Sequence, residues 1–389
     1  MKFAITGVTR SGNMGGAAML LAAMQELSAR HPGARFVLLS VLPDQDKPLL
    51  DPAIEVVAAR PIPLLCLYLP LSIILWPLVR ARSRMLAGIP YFRALFEADV
   101  VIDLCGIAFV DGRGLPLLAY NVACCLPAIA AGVPVAKLSQ ALGPFQSLAN
   151  RTAGRWVLSR CRIVVARGAA SLQHLRDLGI KAVMLPDTTF ALDAGAALPS
   201  TGDRPLLVAC PSEVVNRLCA SAGISFEKEF ADFLKAQITD GWRVLIVAHS
   251  LGCQGKNNDV SICQAICARL PSEHATMLTA TEDPLRLRAV IGSADAFVGC
   301  RFHAVASALA MAVPSLVVGW SHKYREMVEM LQPGDWGMDY RDFSAAAVAR
   351  RFNDLARDRS SIRAQIRERL PAVQDGARRN FVLATEACS

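Results

Sequence analysis

Three side chains that can bind or protonate an anion lie around two short apolar segments in the last third of the chain. Residues 296–298 are typical of a buried strand, and Arg301 and His303 follow them, where a helix is expected to begin. Free backbone N–H groups and the helix dipole favour an anion at such a helix start. Lys323 follows the next apolar segment and is expected at the same edge of a parallel sheet. The spacing therefore predicts a site for an anionic ligand.

Each of these side chains also has a purely structural interpretation. The guanidinium fork of Arg301 suits a carboxylate or phosphate, but a surface arginine can equally cap a neighbouring helix. His303 could hydrogen-bond a carbonyl, and Lys323 could be an exposed lysine without a ligand. His249, at the end of another expected strand, is a further candidate for ligand contact.

The elements that would position these residues alternate between apolar strands and helices in both halves of the chain, which indicates an α/β protein. A stretch rich in Ala, Gly, Pro, Ser and Thr, residues 193–204, is the expected linker. We therefore predict an N-terminal Rossmann-like domain (residues 1–192), a second one that binds the donor (205–340), and arginine-rich C-terminal helices at 344–356 and 360–369 that pack back on the body (341–389). The predicted strands are residues 2–7, 35–40, 54–58, 98–104, 135–140, 163–166, 182–185, 206–209, 243–248, 296–298 and 315–318.

The first expected strand leads into a glycine-rich turn at residues 7–16. Gly7 and Gly12 have the spacing of a P-loop, but Asn13-Met14 stands where Lys-Ser/Thr would grip phosphate and magnesium. No Gly-x-Gly-x-x-Gly occurs, so a dinucleotide cofactor is not expected. The glycines either only permit a tight turn or form a backbone-lined loop for a ligand, in which Asn13 is the useful polar side chain.

Four polar residues follow strands of the N-terminal half. Asp103 ends the strand at 98–104, and Asp111 lies in the loop after it; either could act as an acid or base if its pKa were raised, or could simply satisfy loop N–H groups. Gln140 and Arg167 end the next two strands. We expect all four at the ligand-binding edge of the first sheet.

Composition narrows the class of protein and of partner. The net charge of +8 favours anionic partners, but no lysine-rich run or aromatic RNA platform occurs, so nucleic acid is not expected. The 12 cysteines show no Cys-x-x-Cys pair and mostly lie in apolar stretches, so neither a metal site nor disulfides are expected. Met1-Lys2 leads directly into a strand rather than a secretory signal, which favours the reducing cytoplasm.

Residues 61–79 contain no charged side chain and are long enough to span a bilayer. Four prolines interrupt them, which argues against a span. Two alternatives remain: a hydrophobic helix buried under the sheet, or a segment dipping into the inner face of the cytoplasmic membrane. Arg80, Arg82 and Arg84 follow at once, as expected at a headgroup boundary.

Several motifs occur in the order found in one known family. They are Gly12-Asn13-Met14-Gly15, Gln140-Ala141-Leu142-Gly143-Pro144, Cys300-Arg301-Phe302-His303-Ala304, Val313-Pro314 and Lys323-Tyr324. With these intervals the chain resembles the polysaccharide pyruvyl transferases over about residues 1–330. It departs from the family pattern twice. Cys105-Gly106-Ile107 has fewer glycines than usual, and Arg167-Gly168 replaces Arg-Asp.

The resemblance implies two Rossmann-like domains facing across a cleft, as in glycosyltransferases of the second major fold (GT-B). It implies transfer of pyruvate from phosphoenolpyruvate to two hydroxyls of a sugar, which could be lipid-linked, without metal or cofactor. His303 would serve the leaving phosphate, and Asp103 or Asp111 the acceptor hydroxyl. The implied substrate-binding residues are Asn13, Gln140, Arg167, His249, Arg301 and Lys323.

Two other functions fit the same residues. A glycosyltransferase of this fold would also need cations at this edge, for the diphosphate of a nucleotide sugar. A non-enzymatic scaffold at the membrane surface would use residues 61–84 and a degenerate site.

Overall fold

The computed structural model describes residues 1–198, 202–252, 258–278, 281–319 and 322–387, with the side chains of His322 and Lys323 left aside. The predicted role of the Lys323 side chain therefore lies outside the described residues. The chain divides into two compact units. The first contains residues 1–11, 19–192 and 375–389, and the second contains residues 12–18 and 193–374.

The first unit is built on a parallel sheet of eight strands. Their order is β3-β2-β1-β4-β6-β7-β8, and the short β5 pairs with β6. The central strands are buried along their whole length and mostly apolar, as expected for a sheet covered by helices on both faces. The strands are β1 (Lys2–Thr6), β2 (Arg35–Ser40), β3 (Glu55–Ala58), β4 (Val100–Asp103), β5 (Ile107–Ala108), β6 (Val135–Leu142), β7 (Ile163–Ala166) and β8 (Val183–Met184).

Helices connect these strands, and glycine-rich turns begin several of them. They are α1 (Met14–Arg30), α2 (Pro43–Asp46), α3 (Pro61–Pro63), α4 (Leu69–Ile74), α5 (Trp76–Arg80), α6 (Arg84–Ala87), α7 (Pro90–Phe96), α8 (Leu115–Ala123), α9 (Leu126–Ala131), α10 (Leu148–Leu158) and α11 (Ala169–Asp177). A π-helical stretch, Leu64–Tyr68, joins α3 to α4. No helix among the described residues is long and apolar enough to cross a membrane.

The second unit contains a parallel sheet of six strands in the order β11-β10-β9-β12-β13-β14. The strands are β9 (Leu206–Cys210), β10 (Arg243–Ile246), β11 (Ala275–Met277), β12 (Ala296–Gly299), β13 (Ser315–Gly319) and β14 (Gly337–Asp339). The helices are α12 (Glu213–Ser221), α13 (Phe226–Thr239), α14 (Val260–Cys267), α15 (Pro284–Gly292), α16 (Phe302–Ala310), α17 (His322–Leu331) and α18 (Ala345–Glu386). In both sheets the strand order reverses next to the unit's first strand, as in Rossmann folds.

These observations confirm two Rossmann-like α/β units. The eleven predicted strands are all present, with bounds that shift by one or two residues. Three short strands were missed, β5, β11 and β14, because two or three residues carry no usable periodicity. The two predicted C-terminal helices are one helix, α18. Residues 345–370 contain no glycine or proline, so nothing in the sequence marks the end of the first predicted helix.

Candidate functional site

The reversal point of the second sheet carries the strongest candidate site. There β9 and β12 lie side by side, with Gly299 opposite Cys210, and ligands of such folds bind beyond the carboxyl ends of these strands. Arg301 lies just past β12 and is the residue before α16, and His303 lies in the first turn of that helix. The sequence folds this way because Ala304, Ala306 and Ala308 let the helix pack closely against the sheet.

Asp259 fixes the guanidinium of Arg301. Nε donates to Oδ2 at 2.8 Å and Nη2 donates to Oδ1 at 2.5 Å, so the contact is bidentate. The same carboxylate accepts from the backbone N–H groups of Glu213 and Ser250, both at 3.0 Å. Burial lowers the pKa of Arg301, but the contact with Asp259 raises it by more, so the arginine stays charged. Arg301 is thus a fixed positive charge at the start of α16.

The imidazole of His303 lies directly on the backbone of the first turn of α1. A Cβ atom on Gly15 would stand 2.1 Å from Nδ1 of His303 and 2.5 Å from its Cγ. No side chain larger than hydrogen fits there. The glycine-rich turn therefore has a packing role that its spacing alone did not reveal: it supplies the flat surface on which His303 rests.

His249 adds a second imidazole in a positive environment. Its side chain is buried, and its backbone carbonyl accepts from the N–H of Met14 at 3.3 Å. Burial lowers the pKa of His249 well below its usual range, and the nearby charges of His303, Arg301 and Arg288 lower it further. All four effects disfavour the imidazolium, so His249 is neutral at pH 7.

Asn13 lies beside this group, next to His249 and Ser250. Its side-chain Oδ1 accepts from the N–H of Gly15 at 3.0 Å, and its backbone forms an antiparallel bridge with Ser250. The side chain is exposed. Asn13 therefore caps the start of α1 and also presents its amide at the surface of the second unit.

Taken together, these side chains form an electropositive group at a helix N-terminus. Arg301 carries permanent charge at the helix start, and Arg288 adds charge from a fully buried position, where its Nε donates to Oγ of Ser307 at 3.4 Å. His249 and His303 each bring an imidazole that can donate or accept a hydrogen bond. Backbone N–H groups at the start of α16 point the same way. The arrangement can bind an anion such as a phosphate and pass a proton to it. No group of metal-ligating side chains occurs in the described ranges.

Asp103 occupies the corresponding reversal point of the first sheet but is fully buried. Its carboxylate forms an ion pair with Nζ of Lys137, which lies opposite it on β6. Gln140 donates through Nε2 to the backbone O of Asp103 at 2.7 Å and to its Oδ1 at 3.0 Å. Burial lowers the pKa of Lys137, but Asp103 raises it by more, so the lysine is charged. Asp103 thus binds both Lys137 and Gln140 in a buried position.

Asp111 lies half-exposed in the loop after β5. It accepts from the N–H of Gln146 at 2.6 Å and from the hydroxyl of Ser147 at 2.5 Å. Burial raises the pKa of Asp111, but these hydrogen bonds lower it by more, so the carboxylate is ionised. Of the two candidate carboxylates, Asp111 is the accessible one.

Arg167 is buried at the end of β7 and pairs within the first unit. Nη1 donates to Oδ2 of Asp187 at 2.6 Å, and Nη2 donates to the backbone O of Gly106 at 3.0 Å. Asp187 in turn caps the 3-10 turn that follows it. The structure therefore places Arg167 with Asp187.

Three residues of these networks were missed in the sequence: Lys137, Asp259 and Arg288. Lys137 left a signal, because it is the single charge inside strand β6. Arg288 left a weaker one, because α15 also contains Arg286. Asp259 left a weaker signal in the sequence, because an aspartate before a helix usually serves as an N-cap.

Comparison with known proteins gives one family for most of the chain. The family described as polysaccharide pyruvyl transferase matches residues 13–322. The chain is also similar to the amylovoran biosynthesis protein AmsJ of Erwinia amylovora, with 22% identity over 290 residues that cover 70% of this chain and 69% of that protein.

Solved structures with the same fold are distant in sequence. The MnaA–UDP co-structure from S. aureus has a TM-score of 0.62 at 12% identity, covering 98% of this chain and 94% of that one. The UDP-GlcNAc 2-epimerase of Neisseria meningitidis gives 0.58 at 12% identity, over 99% and 100%. MurG of Acinetobacter baumannii gives 0.53 at 14% identity, over 99% of each chain. At such identities the likeness establishes the fold, which is the expected GT-B type.

Proposed function

The chain belongs to the polysaccharide pyruvyl transferase family, and on that premise we propose that it transfers pyruvate from phosphoenolpyruvate to two hydroxyls of one sugar, forming a cyclic ketal. The acceptor sugar would belong to a cell-surface polysaccharide or to its lipid-linked precursor. The observation that carries the proposal is the electropositive group at the start of α16, formed by Arg301, His303, His249 and Arg288.

The donor has the charges that this group would bind. Phosphoenolpyruvate carries a phosphate and a carboxylate on adjacent atoms, so it needs more than one cation or N–H donor at close range. Arg301 is held rigidly by Asp259, and a positive charge that need not reorganise stabilises a developing negative charge most effectively. Lys323 and Asn13 are proposed to complete the donor contacts.

The chemistry balances without a redox partner. The CH₂ carbon of the donor takes a proton, and the adjacent carbon becomes an oxocarbenium-like centre. Two sugar oxygens form bonds to that carbon, and its bond to the phosphate oxygen breaks. One hydroxyl proton replaces the proton given to carbon, and the other leaves with inorganic phosphate. His303 is proposed to donate to the leaving phosphate, because it lies in the first turn of α16 beside the fixed charge of Arg301.

The acceptor is proposed to contact the first unit. Asp111 is ionised and half-exposed, so it can accept a hydrogen bond from an attacking hydroxyl, but its lowered pKa is opposite to the raised pKa expected for an acid or base. Asp103, Gln140 and Arg167 would act by holding the loops that carry this surface, since their polar atoms face Lys137, Asp103 and Asp187 respectively. An acceptor on a lipid carrier would bring the enzyme to the inner face of the cytoplasmic membrane.

Ligand binding to the purified protein tests the donor. Phosphoenolpyruvate should stabilise the folded state by about 2.7 kcal/mol at about 100 times its dissociation constant, measured as a shift in the melting temperature. Nucleotide sugars are the comparison ligands. If they stabilise the protein and phosphoenolpyruvate does not, the glycosyltransferase function replaces this one.

The variant Arg301→Lys tests whether Arg301 contacts the ligand. It keeps the charge but loses the fork to Asp259, so kcat/KM should fall at least about tenfold, equivalent to about 1.4 kcal/mol. Arg269→Lys is the matched control, because Arg269 forms an exposed pair with Glu227 and should retain wild-type activity. Near-normal turnover of Arg301→Lys would remove Arg301 from the site.

A further inference from the structure

Residues 61–80 form a nearly continuous helical segment that is apolar on every side but covered on only one. Leu64, Ser72 and Val79 are buried, and Tyr68 and Trp76 pack against the core of the first unit from partly buried positions. A helix that is apolar all round is normally enclosed by protein or by lipid. Here the described residues enclose one side of the segment, and its outer side is an apolar surface that none of them covers.

The outer side is made of large aliphatic side chains. Ile62 is 77% exposed, Ile74 73% and Met85 67%, and Ile73, Leu67 and Leu78 are exposed as well. Exposed apolar side chains scattered singly are normal on a protein surface, whereas a run of six within 24 residues marks an interaction surface. We call these six residues the aliphatic ridge.

The charges within this stretch of sequence are of one sign, and Arg60 at its start pairs with Asp44. Between Glu55 and Glu97 the chain has five arginines and no acidic residue. Arg80 and Arg84 are exposed, directly after the segment that carries the ridge. Arg82 is fixed to the body of the unit, because its Nη1 donates to the backbone O of Phe96 at 2.9 Å. The surface therefore complements an anionic partner with an apolar interior.

We propose that the aliphatic ridge is a membrane-contact surface, with Ile62, Ile73 and Ile74 entering the acyl boundary of an anionic bilayer and Arg84 at its headgroups. The inference rests on the proposed function in one respect only: contact with the membrane would give the enzyme access to a lipid-linked acceptor. The attraction of exposed arginines to an anionic surface and the burial of apolar side chains in the acyl boundary both contribute to the free energy of membrane binding.

The composition of the ridge favours lipid over a protein partner. Protein interfaces concentrate tyrosine, tryptophan and arginine at their centres. In this segment Tyr68 and Trp76 point toward the core, and the stacked ring of Tyr91 lies 4.3 Å from that of Tyr68. The outer side carries the aliphatic side chains of the ridge together with Cys66 and two prolines, and this surface without an aromatic ring suits a fluid partner without fixed pockets.

Vesicle co-sedimentation of the full chain tests the proposal. The double variant Ile73→Gln/Ile74→Gln should lower the partition coefficient onto vesicles of phosphatidylglycerol and phosphatidylcholine at least about tenfold. Its melting temperature should stay at the wild-type value, because both side chains are exposed. The matched control is Val183→Gln/Met184→Gln, two side chains of the same unit that are 44% and 50% exposed. This control should bind vesicles as the wild type does.

The charge is tested separately. Arg84→Gln should weaken binding about fivefold, the equivalent of about 1 kcal/mol, on anionic vesicles only, and added salt should remove the difference. Arg176→Gln, an exposed arginine on α11, is its control and should bind like the wild type.

The proposal is overturned if the isoleucine variant still sediments with anionic vesicles, or if the wild type never does. It is equally overturned if the variant changes the sedimentation coefficient of the free protein, since the ridge would then be a protein interface. Stabilisation by phosphoenolpyruvate should be the same in all of these variants. If phosphoenolpyruvate does not stabilise the wild type, the proposed function is contradicted, but the proposed membrane-contact surface is not.

Discussion

The two sheets place opposite charges at the same topological position, and only one of them remains near the surface. In the first unit Asp103 ends β4 beside β1, with Thr6 opposite it. In the second unit Arg301 follows β12 beside β9. Each has an opposite charge as partner, Lys137 for Asp103 and Asp259 for Arg301. The Asp103 side chain is 1% exposed, whereas that of Arg301 is 19% exposed.

This difference shows how one fold can use its reversal point in two ways. A charge pair inside the strands joins two neighbouring strands and binds no ligand, because both groups are consumed by each other. Arg301 lies two residues beyond the end of β12 and is also paired, with Asp259, yet part of its side chain stays accessible. On the proposed function, this position along the chain, more than the sign of the charge, makes Arg301 available to a ligand.

The largest effect should come from breaking the buried pair of the first unit. Lys137→Met leaves the Asp103 carboxylate buried without its cation and should lower the free energy of unfolding by about 3–5 kcal/mol. Urea denaturation with a two-state fit measures it. The double variant Lys137→Met/Asp103→Leu removes both charges and should regain most of the loss.

The double variant also sharpens the comparison. If Asp103 only holds the sheet, pyruvyl transfer should persist once stability is regained. A stable double variant without any activity would give Asp103 a role in the reaction. A loss below about 1 kcal/mol in Lys137→Met would contradict the buried pair itself.

A smaller effect is expected from the glycine surface under His303. Gly15→Ala forces a methyl group into the space of the imidazole and should cost about 1–3 kcal/mol of stability, together with most of the activity. The clash exists only while the ring is present. In a His303→Ala background the same change should therefore be neutral or slightly stabilising, since alanine favours a helix over glycine. Equal costs in both backgrounds would show that Gly15 is required for another reason.

The smallest effect is a pH dependence from His249. Its pKa is lowered in the folded state, so between that value and about 6.5 the unfolded chain binds more protons. Stability should therefore fall as the pH decreases below about 6.5, by at most about 1.4 kcal/mol per pH unit. Denaturation of His249→Asn should show a flatter profile, while His274→Asn, outside this group, should follow the wild type. If the stability of His249→Asn depends on pH as that of the wild type does, the positive environment of His249 is contradicted.

The sequence predicted the order of elements because the strands are short apolar runs bounded by glycine, proline or charge. It also predicted that Asp103 and Gln140 lie near the carboxyl ends of strands and that Arg301 and His303 follow a strand. What it could not supply was the register between strands that are far apart in the chain. Lys137 lies 34 residues from Asp103, and only the pairing of β4 with β6 sets them opposite each other.

Partners across loops were still less predictable. Asp259 lies 42 residues from Arg301, and Gly15 lies in the first helix of the chain, far from His303. For residues 61–79 the sequence left burial and membrane contact as alternatives. The segment has both a covered and an exposed side, which a uniformly apolar sequence cannot distinguish, because no polar residue marks the outer face.

The first helix also sets a limit on how this protein can be divided. Residues 12–18 belong to the second unit, although they are separated from its next residue, Asp193, by the bulk of the first. They carry Asn13, which pairs with Ser250, and Gly15, on which His303 rests. A gene cut at the linker would therefore produce a C-terminal fragment without part of its own binding surface. Helix α1 contributes residues to both units, so a cut at residues 193–204 leaves the second unit incomplete.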